Sequence, residues 1–411
     1  MHSLRKILTI LALFVSNGVF AYDVELGGIY YNLNQTDKTA EVTYKKQLEP
    51  TESYKGNITI PDIIYYLGEK YIITDVGDYA FYNCNSLTNI TMPKSVKAIG
   101  SSAFTLCEKL ECLELPYGIS TIENSSFSSC TSLTSFSIPN SVTKIGDYAF
   151  SGCVLLSSLI MSQNVSSIGI QAFCGCESLE SISMPAVTII GDYAFLDCMN
   201  ITSFLLPDCL EIIGKGAFLN CERIQTIKIP SNVYRIGTSV VGIRDGNPFI
   251  GCSSLTSITV DSRNVFFDSR DNCNAIIRTS ENSLIAGCHN TIIPNSVTSI
   301  NFYAFSRCGS LKTITLPNSL KKIDDSAFSG CNNLSTVISE IEHPFSLGVE
   351  AFYGIPSNSV LYVPKGTISS YMYNGWNKYF PQIQEISNQQ LTLSIMASGN
   401  GNVNYSSFAS S

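Results

Sequence analysis

A nine-residue motif recurs along this 411-residue chain at almost constant spacing. One copy, residues 145–153, reads Ile-Gly-Asp-Tyr-Ala-Phe-Ser-Gly-Cys, and most steps between successive copies of its phenylalanine are 23 residues. A period of about 20–29 residues predicts a repeat protein in which each unit buries its apolar side against its neighbours. The phenylalanines of the motif are Phe81, Phe104, Phe127, Phe150, Phe173, Phe195, Phe218, Phe249, Phe305, Phe328 and Phe352.

Each repeat also contains a short strand signal. Residues 87–93 read Leu-Thr-Asn-Ile-Thr-Met-Pro, with apolar residues at alternate positions before the proline. Alternation with period two indicates a strand, and proline ends it because proline lacks an N–H and fixes φ. The Ala-Phe-x-x-Cys part suits one helical or 3-10 turn. We therefore predict an α/β repeat solenoid, an arc of about 13 coils, each with a short parallel strand and a short helical or 3-10 turn.

The two ends of the repeat array depart from the period. An open end of stacked strands would expose unpaired edges, so atypical end units are expected there. Two β-hairpins are predicted at the start, within residues 29–44 and 64–73, and a third interrupts the repeats at 274–286. At the far end, a small helical cap is predicted to present one apolar face formed by Ile368, Tyr371, Met372, Trp376 and Phe380.

These signals divide the chain into five predicted segments. They are a signal peptide at 1–21, an N-terminal β cap with the first coil at 22–75, repeats at 76–359 with an irregular insert at 238–290, a C-terminal cap at 360–383, and the start of an incomplete β-type domain or a tail at 384–411.

The first residues have the three parts of a secretory signal. Arg5 and Lys6 precede an apolar run at 7–15, and Val-Phe-Ala at 19–21 fits a cleavage site, so cleavage is predicted after Ala21. The apolar run is too short to span a bilayer, and no later segment qualifies, so no transmembrane segment is expected after removal of the signal. The mature protein is therefore predicted to be secreted or held at the cell surface.

Composition restricts the classes of partner. Hydrophobic residues make up 45% and charged residues 14% of the chain, so a continuous core is expected rather than disorder. The formal net charge is −8, and no basic cluster is present. Since an acidic surface repels phosphate backbones, nucleic-acid binding is disfavoured.

Fifteen cysteines raise the question of disulfides. Ten of them lie three residues after a motif phenylalanine, which predicts a stacked column of reduced thiols in the core, where cysteine behaves as a small hydrophobe. Cys273 and Cys288 flank the predicted insert hairpin and are the best disulfide candidates. The ten column members are Cys84, Cys107, Cys130, Cys153, Cys176, Cys198, Cys221, Cys252, Cys308 and Cys331.

Signals for catalysis and for metals are weak. Cys174-Gly-Cys176 lacks the second ligand pair of a structural zinc site, and His289 and His343 lie near no recognisable nucleophile. Serine-hydrolase, phosphate-loop and zinc-protease motifs are missing. We therefore predict no catalytic residues, no metal and no cofactor.

Strand alternation gives the candidate binding residues. With the residue before proline pointing inward, the second and fourth residues before it point outward. This outward face is rich in hydroxyl groups and nearly uncharged, so it is either a solvated sheet surface or a broad protein-binding surface; its lack of aromatic rings argues against sugar stacking there. The candidate residues are Asn89, Thr91, Glu114, Ser135, Ser137, Ser158, Ser181, Ser183, Ser203, Thr226, Lys228, Ser257, Thr259, Thr313 and Thr315.

The repeat Ile-Gly-Asp-Tyr-Ala-Phe-x-x-Cys-x-x-Leu-x-x-Ile-x-x-Pro resembles that of the BspA-like leucine-rich repeat family, over roughly residues 22–383. The resemblance implies a leucine-rich repeat solenoid in a surface or secreted protein that attaches to extracellular proteins, host cells or other microbes. It supplies no catalytic residues. An alternative is a glycan-binding accessory protein of a surface nutrient-capture system, for which Tyr79, Tyr148 and Tyr193 are the candidate aromatic residues.

Overall fold

The computed structural model describes residues 22–45, 53–237 and 246–387. Contacts between Cα atoms divide the chain into two compact units. Unit 1 is Met1–Val165 with Ala172–Glu177, and unit 2 is Ser166–Gln171 with Ser178–Ser411. The predicted signal peptide, residues 238–245 of the predicted insert and the predicted tail from residue 388 onwards lie outside the described residues.

Unit 1 begins with a mixed sheet of strands β1 to β3, β5 and β6. Strands β1, β2 and β3 are antiparallel neighbours, as are β5 and β6, whereas β3 and β6 run parallel. Both predicted N-terminal hairpins are therefore confirmed. The bounds are β1 Val24–Leu26, β2 Ile29–Asn34, β3 Thr39–Thr43, β4 Gly56–Thr59, β5 Ile63–Tyr66 and β6 Glu69–Val76.

The coils of unit 1 each carry two short strands. The first lies before the proline position, and the second, only two residues long, lies before the motif glycine. Several neighbouring coils pair in parallel at these places, as Ser135 does with Ser158 and Lys144 with Thr121. The second strand was not predicted. The bounds are β7 Leu87–Thr91, β8 Ala98–Ile99, β9 Cys112–Leu113, β10 Thr121–Ile122, β11 Ser135–Ser137, β12 Lys144–Ile145 and β13 Ser158–Ile160.

Unit 2 continues with the same two kinds of strand. The bounds are β14 Ser167–Ile168, β15 Ser181–Ile182, β16 Ile189–Ile190, β17 Ser203–Phe204, β18 Ile212–Ile213, β19 Thr226–Ile229, β20 Arg235–Ile236, β21 Ser257–Val260, β22 Phe267–Asp268, β23 Ala275–Arg278, β24 Ser283–Gly287, β25 Ser299–Ile300, β26 Thr313–Leu316, β27 Lys322–Ile323, β28 Thr336–Ser339, β29 Val360–Val363 and β30 Gln382–Glu385.

The predicted insert hairpin is confirmed as strands β23 and β24, which pair antiparallel. Strand β24 then pairs in parallel with β25 of the following coil. The hairpin is therefore joined to the ladder of two-residue strands rather than standing apart from the repeats.

The one α-helix among the described residues, α1, spans Ile368–Tyr373 and packs at the end of unit 2. Trp376 is fully buried, as predicted, and its Nε1 donates a hydrogen bond to the Phe345 carbonyl at 2.8 Å. Tyr371 and Phe380 are also buried. Met372 is 52% exposed, so its place on the predicted apolar face is wrong.

Of the helical or 3-10 turn predicted around the motif phenylalanines, only isolated i→i+3 hydrogen bonds are present, such as that from the Cys153 N–H to the Phe150 carbonyl, and no regular helix forms there. Tyr148 and Gly152 have φ of 58° and 76°, in the left-handed region that an α-helix does not use. The N–H groups of Phe150 and Gly152 donate to carbonyls of the next coil, each at 2.7 Å, while those of Ser151 and Cys153 donate within their own coil. A helix would direct its N–H groups along its own axis. Because every second N–H group of the turn donates to a carbonyl of the next coil, hydrogen bonds join each turn to its neighbour.

The motif phenylalanines form stacked columns within each unit. In unit 1 the rings of Phe150 and Phe173 are parallel to within 1°, with centroids 5.3 Å apart. In unit 2 the rings of Phe328 and Phe352 are also parallel to within 1°, with centroids 4.7 Å apart. All of these rings are buried. Burial of each ring contributes roughly 1.5–3 kcal/mol, so the columns are the centre of the core.

The cysteine column has a specific hydrogen-bonding role. The Cys153 thiol donates to the Phe127 carbonyl of the preceding coil at 3.1 Å, and Cys130 donates in the same way to Phe104 at 3.2 Å. Unit 2 repeats the contact between Cys331 and a motif phenylalanine carbonyl at 3.1 Å. Burial raises the pKa of Cys153 to about 12. The column is therefore protonated and, as predicted, holds free thiols.

The glycine that most copies of the motif carry packs closely against the neighbouring coil, although Glu123, Asn301 and Asp324 stand at the same position in other copies. A Cβ on Gly146 would lie 2.6 Å from Asn124 Oδ1 and 2.8 Å from the Asn124 main-chain nitrogen. Such a contact is shorter than real Cβ atoms show, so a side chain at this position would push the coils apart.

Candidate binding face on the strands

The outward side chains of the proline-side strands form one candidate face in each unit. On β11, Ser135 and Ser137 are exposed, whereas Phe136 between them is 3% exposed and faces the core. Alternation of side chains along an extended strand produces this difference. The structure places all fifteen predicted residues on the outward side, where only Ser257 and Thr315 are half-buried rather than exposed.

In unit 1 the face contains a groove of about 490 Å³. Its lining includes Ile90, Leu113 and Phe136, whose side chains are buried. Exposed polar side chains of seven residues also line it, together with Met92 and the 64% exposed Ile160. Sequence reasoning missed Met92 as a groove residue because its position was assigned to the core. The polar groove residues are Asn89, Thr91, Cys112, Glu114, Ser135, Ser137 and Ser158.

The groove lies where the strand ladder of unit 1 is interrupted. Strand β9 pairs with β7, and β11 pairs with β13, so two separate sheets result. Among the described residues, no main-chain hydrogen bond joins β9 to β11. The two strands nevertheless remain neighbours, and β17 and β19 of unit 2 are likewise assigned to separate sheets.

In unit 2 the face carries Lys228, which belongs to a group of three charged side chains. The Lys228 amino group lies 3.3 Å from a carboxylate oxygen of Asp261, and Arg263 Nε lies 3.0 Å from the other oxygen. Hydrogen bonds from Arg263 hold the pKa of Asp261 well below its usual range. Lys228 therefore belongs to a small ion-pair group rather than standing as an isolated cation. Leu205, on the same face, is 84% exposed.

The candidate tyrosines lie on the turns and not on the strand face. Tyr79 is 50% and Tyr148 43% exposed, and both have left-handed φ. Tyr193 is half-buried, with the Lys215 amino group 6.0 Å from its ring centroid. Tyr303, which sequence reasoning did not select, has the same φ and is 40% exposed. Its position two residues before Phe305 is the signal that would have identified it.

The predicted disulfide between Cys273 and Cys288 is not formed in the structure, where both are free and buried. Strand register explains this difference: Ala275 lies opposite Gly287, so Cys288 falls opposite Asn274 and not opposite Cys273. The Cys288 thiol donates to the Asn274 carbonyl at 3.5 Å. Burial raises the pKa of Cys273 to about 12. Over the described ranges, no group of three or more His, Cys, Asp or Glu side chains could hold a metal ion.

Short parallel strands stacked at one residue register, with very little helix, define a leucine-rich repeat protein. A model of the BspA type leucine rich repeat region matches residues 57–165, 143–274 and 283–395, with six copies. The chain therefore belongs to this family. Within the part of the chain that the structure describes, no helix has the length and apolar character to cross a membrane.

Two solved structures are similar over most of the chain. A leucine-rich repeat protein from Bacteroides ovatus ATCC 8483 is 26% identical with a TM-score of 0.56, covering 89% of this chain and 100% of its own. A leucine rich cell surface protein from Faecalibacterium prausnitzii A2-165 is 25% identical with the same TM-score, covering 90% of this chain and 96% of its own. A search of the curated proteins gives no match.

Proposed function

We propose that this chain is an exported, non-enzymatic binding protein that attaches to an extracellular protein or a host-cell surface through its strand faces. The observation that carries the proposal is the exposure of hydroxyl and amide side chains at the same outward positions in successive coils. Repeated coils commonly use such extended surfaces for protein binding. Family membership and the likeness to a cell surface protein support this function.

The proposal also assigns a role to each segment of the chain. Export follows cleavage after Ala21, about 13 coils form the array, and the ends at 22–75 and 360–383 act as caps. Residues 384–411, the first two of which complete strand β30, begin a further β-type domain or a tail. The protein uses no cofactor and binds no nucleic acid.

Surface plasmon resonance on the chain from residue 22 to 411 tests the proposal against immobilised extracellular matrix proteins, alongside binding to mucosal cells. The variant Ser135→Arg with Ser158→Arg places two large side chains on the strand face. A matched control, Ser120→Arg with Gln163→Arg, changes exposed residues away from that face. We expect the control to bind like wild type and the face variant to lose binding. Failure of the wild type to bind any surface, or equal binding by both variants, contradicts the proposal.

A glycan-binding role in a surface nutrient-capture system is the second candidate. The half-exposed rings of Tyr79 and Tyr148 favour it, because sugars stack on exposed aromatic faces. Serine occupies the same turn position at Ser102 and Ser125, so Tyr79→Ser and Tyr148→Ser preserve the turn. Glycan-array binding that is lost in this double variant supports the second candidate, and an array without signal rejects it.

A further inference from the structure

Strand β5 lies at one edge of the mixed sheet that begins unit 1. On its inner side it pairs antiparallel with β6, and the Ile73 N–H donates to the Asp62 carbonyl at 3.0 Å. Main-chain groups alternate in direction along an antiparallel strand, so those of Ile63 and Tyr65 face away from β6. Within the described ranges, these outward groups make no main-chain hydrogen bond. The outer side of β5 therefore offers two N–H and two C=O groups to another strand.

The side chains that β5 and its turn expose are apolar. Ile63 is 36%, Tyr65 68% and Leu67 86% exposed. Ile72, which lies opposite Ile63 on β6, is 42% exposed. Residues at alternate positions of a strand and directly opposite each other share one face of a sheet, so Ile63, Tyr65 and Ile72 are neighbours there. Neighbouring apolar side chains in contact with water indicate an interaction surface.

Other edge strands of the molecule carry features that prevent pairing with a second molecule. Strand β1, at the opposite edge of the same sheet, is three residues long and exposes Glu25. Strand β30 of unit 2 exposes Gln382, Gln384 and Glu385. Short length and charged side chains protect a sheet edge from association. Residues 63–67 contain no charged residue and no proline, so the edge at β5 lacks this protection.

We propose that β5 pairs antiparallel with β5 of a second copy of the chain, which joins the N-terminal sheets of the two copies. The strand is its own complement. About a twofold axis at Ile64, Ile63 of each copy lies opposite Tyr65 of the other, and these are the residues whose main-chain groups face outward. Each of the two residue pairs exchanges two hydrogen bonds, so every outward group of both strands is used. No charged side chain on β5 lies opposite another in this register.

The dimer is expected to be weak and to tighten with salt. Strand β5 has only four residues, so its pairing buries less than the roughly 1,200 Å² typical of stable complexes, and a Kd on the order of 10–100 μM is expected. The formal net charge of −8 makes two copies repel each other, whereas the paired residues 63–66 are uncharged. Salt screens this repulsion, so the affinity of the dimer should rise with salt.

Sedimentation velocity on the chain from residue 22 to 411, at about 1 to about 200 μM, measures the dimer. Tyr65→Glu places a charge on the edge, opposite Lys70 of the same hairpin, and Tyr65→Pro removes an outward N–H. Each variant is expected to weaken dimerisation at least about tenfold. Tyr373→Glu makes the same change at a tyrosine that is 91% exposed in unit 2, and it should leave the Kd unchanged. Thermal unfolding of all three variants shows that the fold is kept.

A mixture of Ile63→Cys and Tyr65→Cys chains tests the register. Both chains also carry Cys112→Ser, because Cys112 is an exposed free thiol. Opposite Cα atoms of a hydrogen-bonded antiparallel pair are about 5.5 Å apart, within the reach of a disulfide. Under mild oxidation, the mixture should therefore yield at least about threefold more covalent dimer than either variant alone.

A wild-type chain that stays monomeric over this concentration range overturns the proposal. Equal dimerisation of Tyr65→Glu and Tyr373→Glu, or equal cross-linking in the mixture and in the single variants, also overturns it. A monomeric chain whose binding to a matrix protein is lost in Tyr65→Glu overturns it as well, because the edge would then hold a strand of that partner. The outward residues of the strand faces are not part of this edge, so loss of the dimer leaves the proposed function standing.

Discussion

Phe150 and Ser158 belong to the same coil of unit 1, eight residues apart, but meet opposite surroundings. The Phe150 ring is fully buried between Phe127 and Phe173, with ring centroids 5.4 and 5.3 Å away. The side chain of Ser158 is exposed and lines the groove. The side of the coil that carries the motif phenylalanine and its left-handed turn is called the turn side here. On the turn side, packing and hydrogen bonds between coils restrict which residue can occupy each position. On the strand face, only the positions that point inward are restricted in this way. Stability and binding are therefore separable within one coil.

The largest effect is expected from removing a ring of the column. Phe150→Ala should lower the free energy of unfolding by about 3–5 kcal/mol, because it removes buried apolar surface and leaves a cavity between two rings. Urea denaturation followed by circular dichroism measures the change. Ser158→Ala, the matched change on the strand face, should alter stability by less than about 0.5 kcal/mol. Similar losses in both variants would remove the distinction between the two sides of the coil.

Alkaline pH should weaken the turn side through its buried thiols. An unfolded thiol loses its proton from about pH 8.5, but Cys153 keeps its proton up to a pKa of about 12 because burial penalises the thiolate. The stability that this thiol contributes is therefore fully present below about pH 8.5 and is lost as pH rises towards 12.

From pH 8.5 to 10, Cys153 alone should account for a loss of about 2 kcal/mol in the free energy of unfolding. Urea titrations at pH 7, 8.5 and 10 with reductant present measure the slope. Cys153→Val keeps an apolar side chain without the thiol, so its stability should fall less steeply above pH 8.5. An unfolding free energy that stays constant or rises over this range would contradict the assignment of a protonated column.

A smaller effect is expected at the aspartate that follows the motif glycine. Asp78 Oδ1 accepts a hydrogen bond from the Ser101 main-chain N–H of the next coil at 2.7 Å. Asp78→Ala removes this acceptor, and we expect a loss of about 1 kcal/mol in unfolding free energy. Asp78→Asn keeps the acceptor oxygen and should be nearly neutral, since Asn124 makes the same contact to Asp147 at 2.8 Å. Thermal melting of the two variants shows whether the acceptor oxygen or the negative charge of Asp78 stabilises the coil. Equal losses of stability in Asp78→Ala and Asp78→Asn would show that the charge matters.

The period of the sequence was enough to predict the stacked phenylalanine column, the buried thiols and the outward positions of the strands. These features repeat with each coil and depend on simple burial, so the spacing of Phe150 and Phe173 already implies their contact. The left-handed turns were missed because Tyr148 and Ser125 hold positive φ without the glycine that usually signals it. The second strand was missed because two residues such as Lys144 and Ile145 are too short to show alternation.

The groove could not be predicted for a different reason. Residues 112–116 follow the same strand and proline pattern as the other coils, yet β9 makes no ladder with β11. Whether neighbouring coils keep their main-chain hydrogen bonds depends on their spacing in three dimensions, which no local pattern records. Sequence reasoning therefore identified Glu114 and Ser135 as outward residues but not the groove that they share.

The smallest expected change is on the turn side and is an increase, not a decrease, in the free energy of unfolding. Tyr148 is 43% exposed with φ of 58°, a conformation that asparagine tolerates better than tyrosine does. We expect Tyr148→Asn to raise the unfolding free energy by about 0.5 kcal/mol. Tyr117→Asn is the control, since Tyr117 is 84% exposed without left-handed φ, and it should change stability by less.

Precise thermal melting of both variants and wild type resolves this difference. If only Tyr148→Asn raises stability, then tyrosine is less stable than asparagine at this turn position. That result favours a binding role for the exposed Tyr148 ring. A loss at Tyr148 would instead show that the ring packs against the coil and stabilises it, and the turn side would then be governed by stability at this position too.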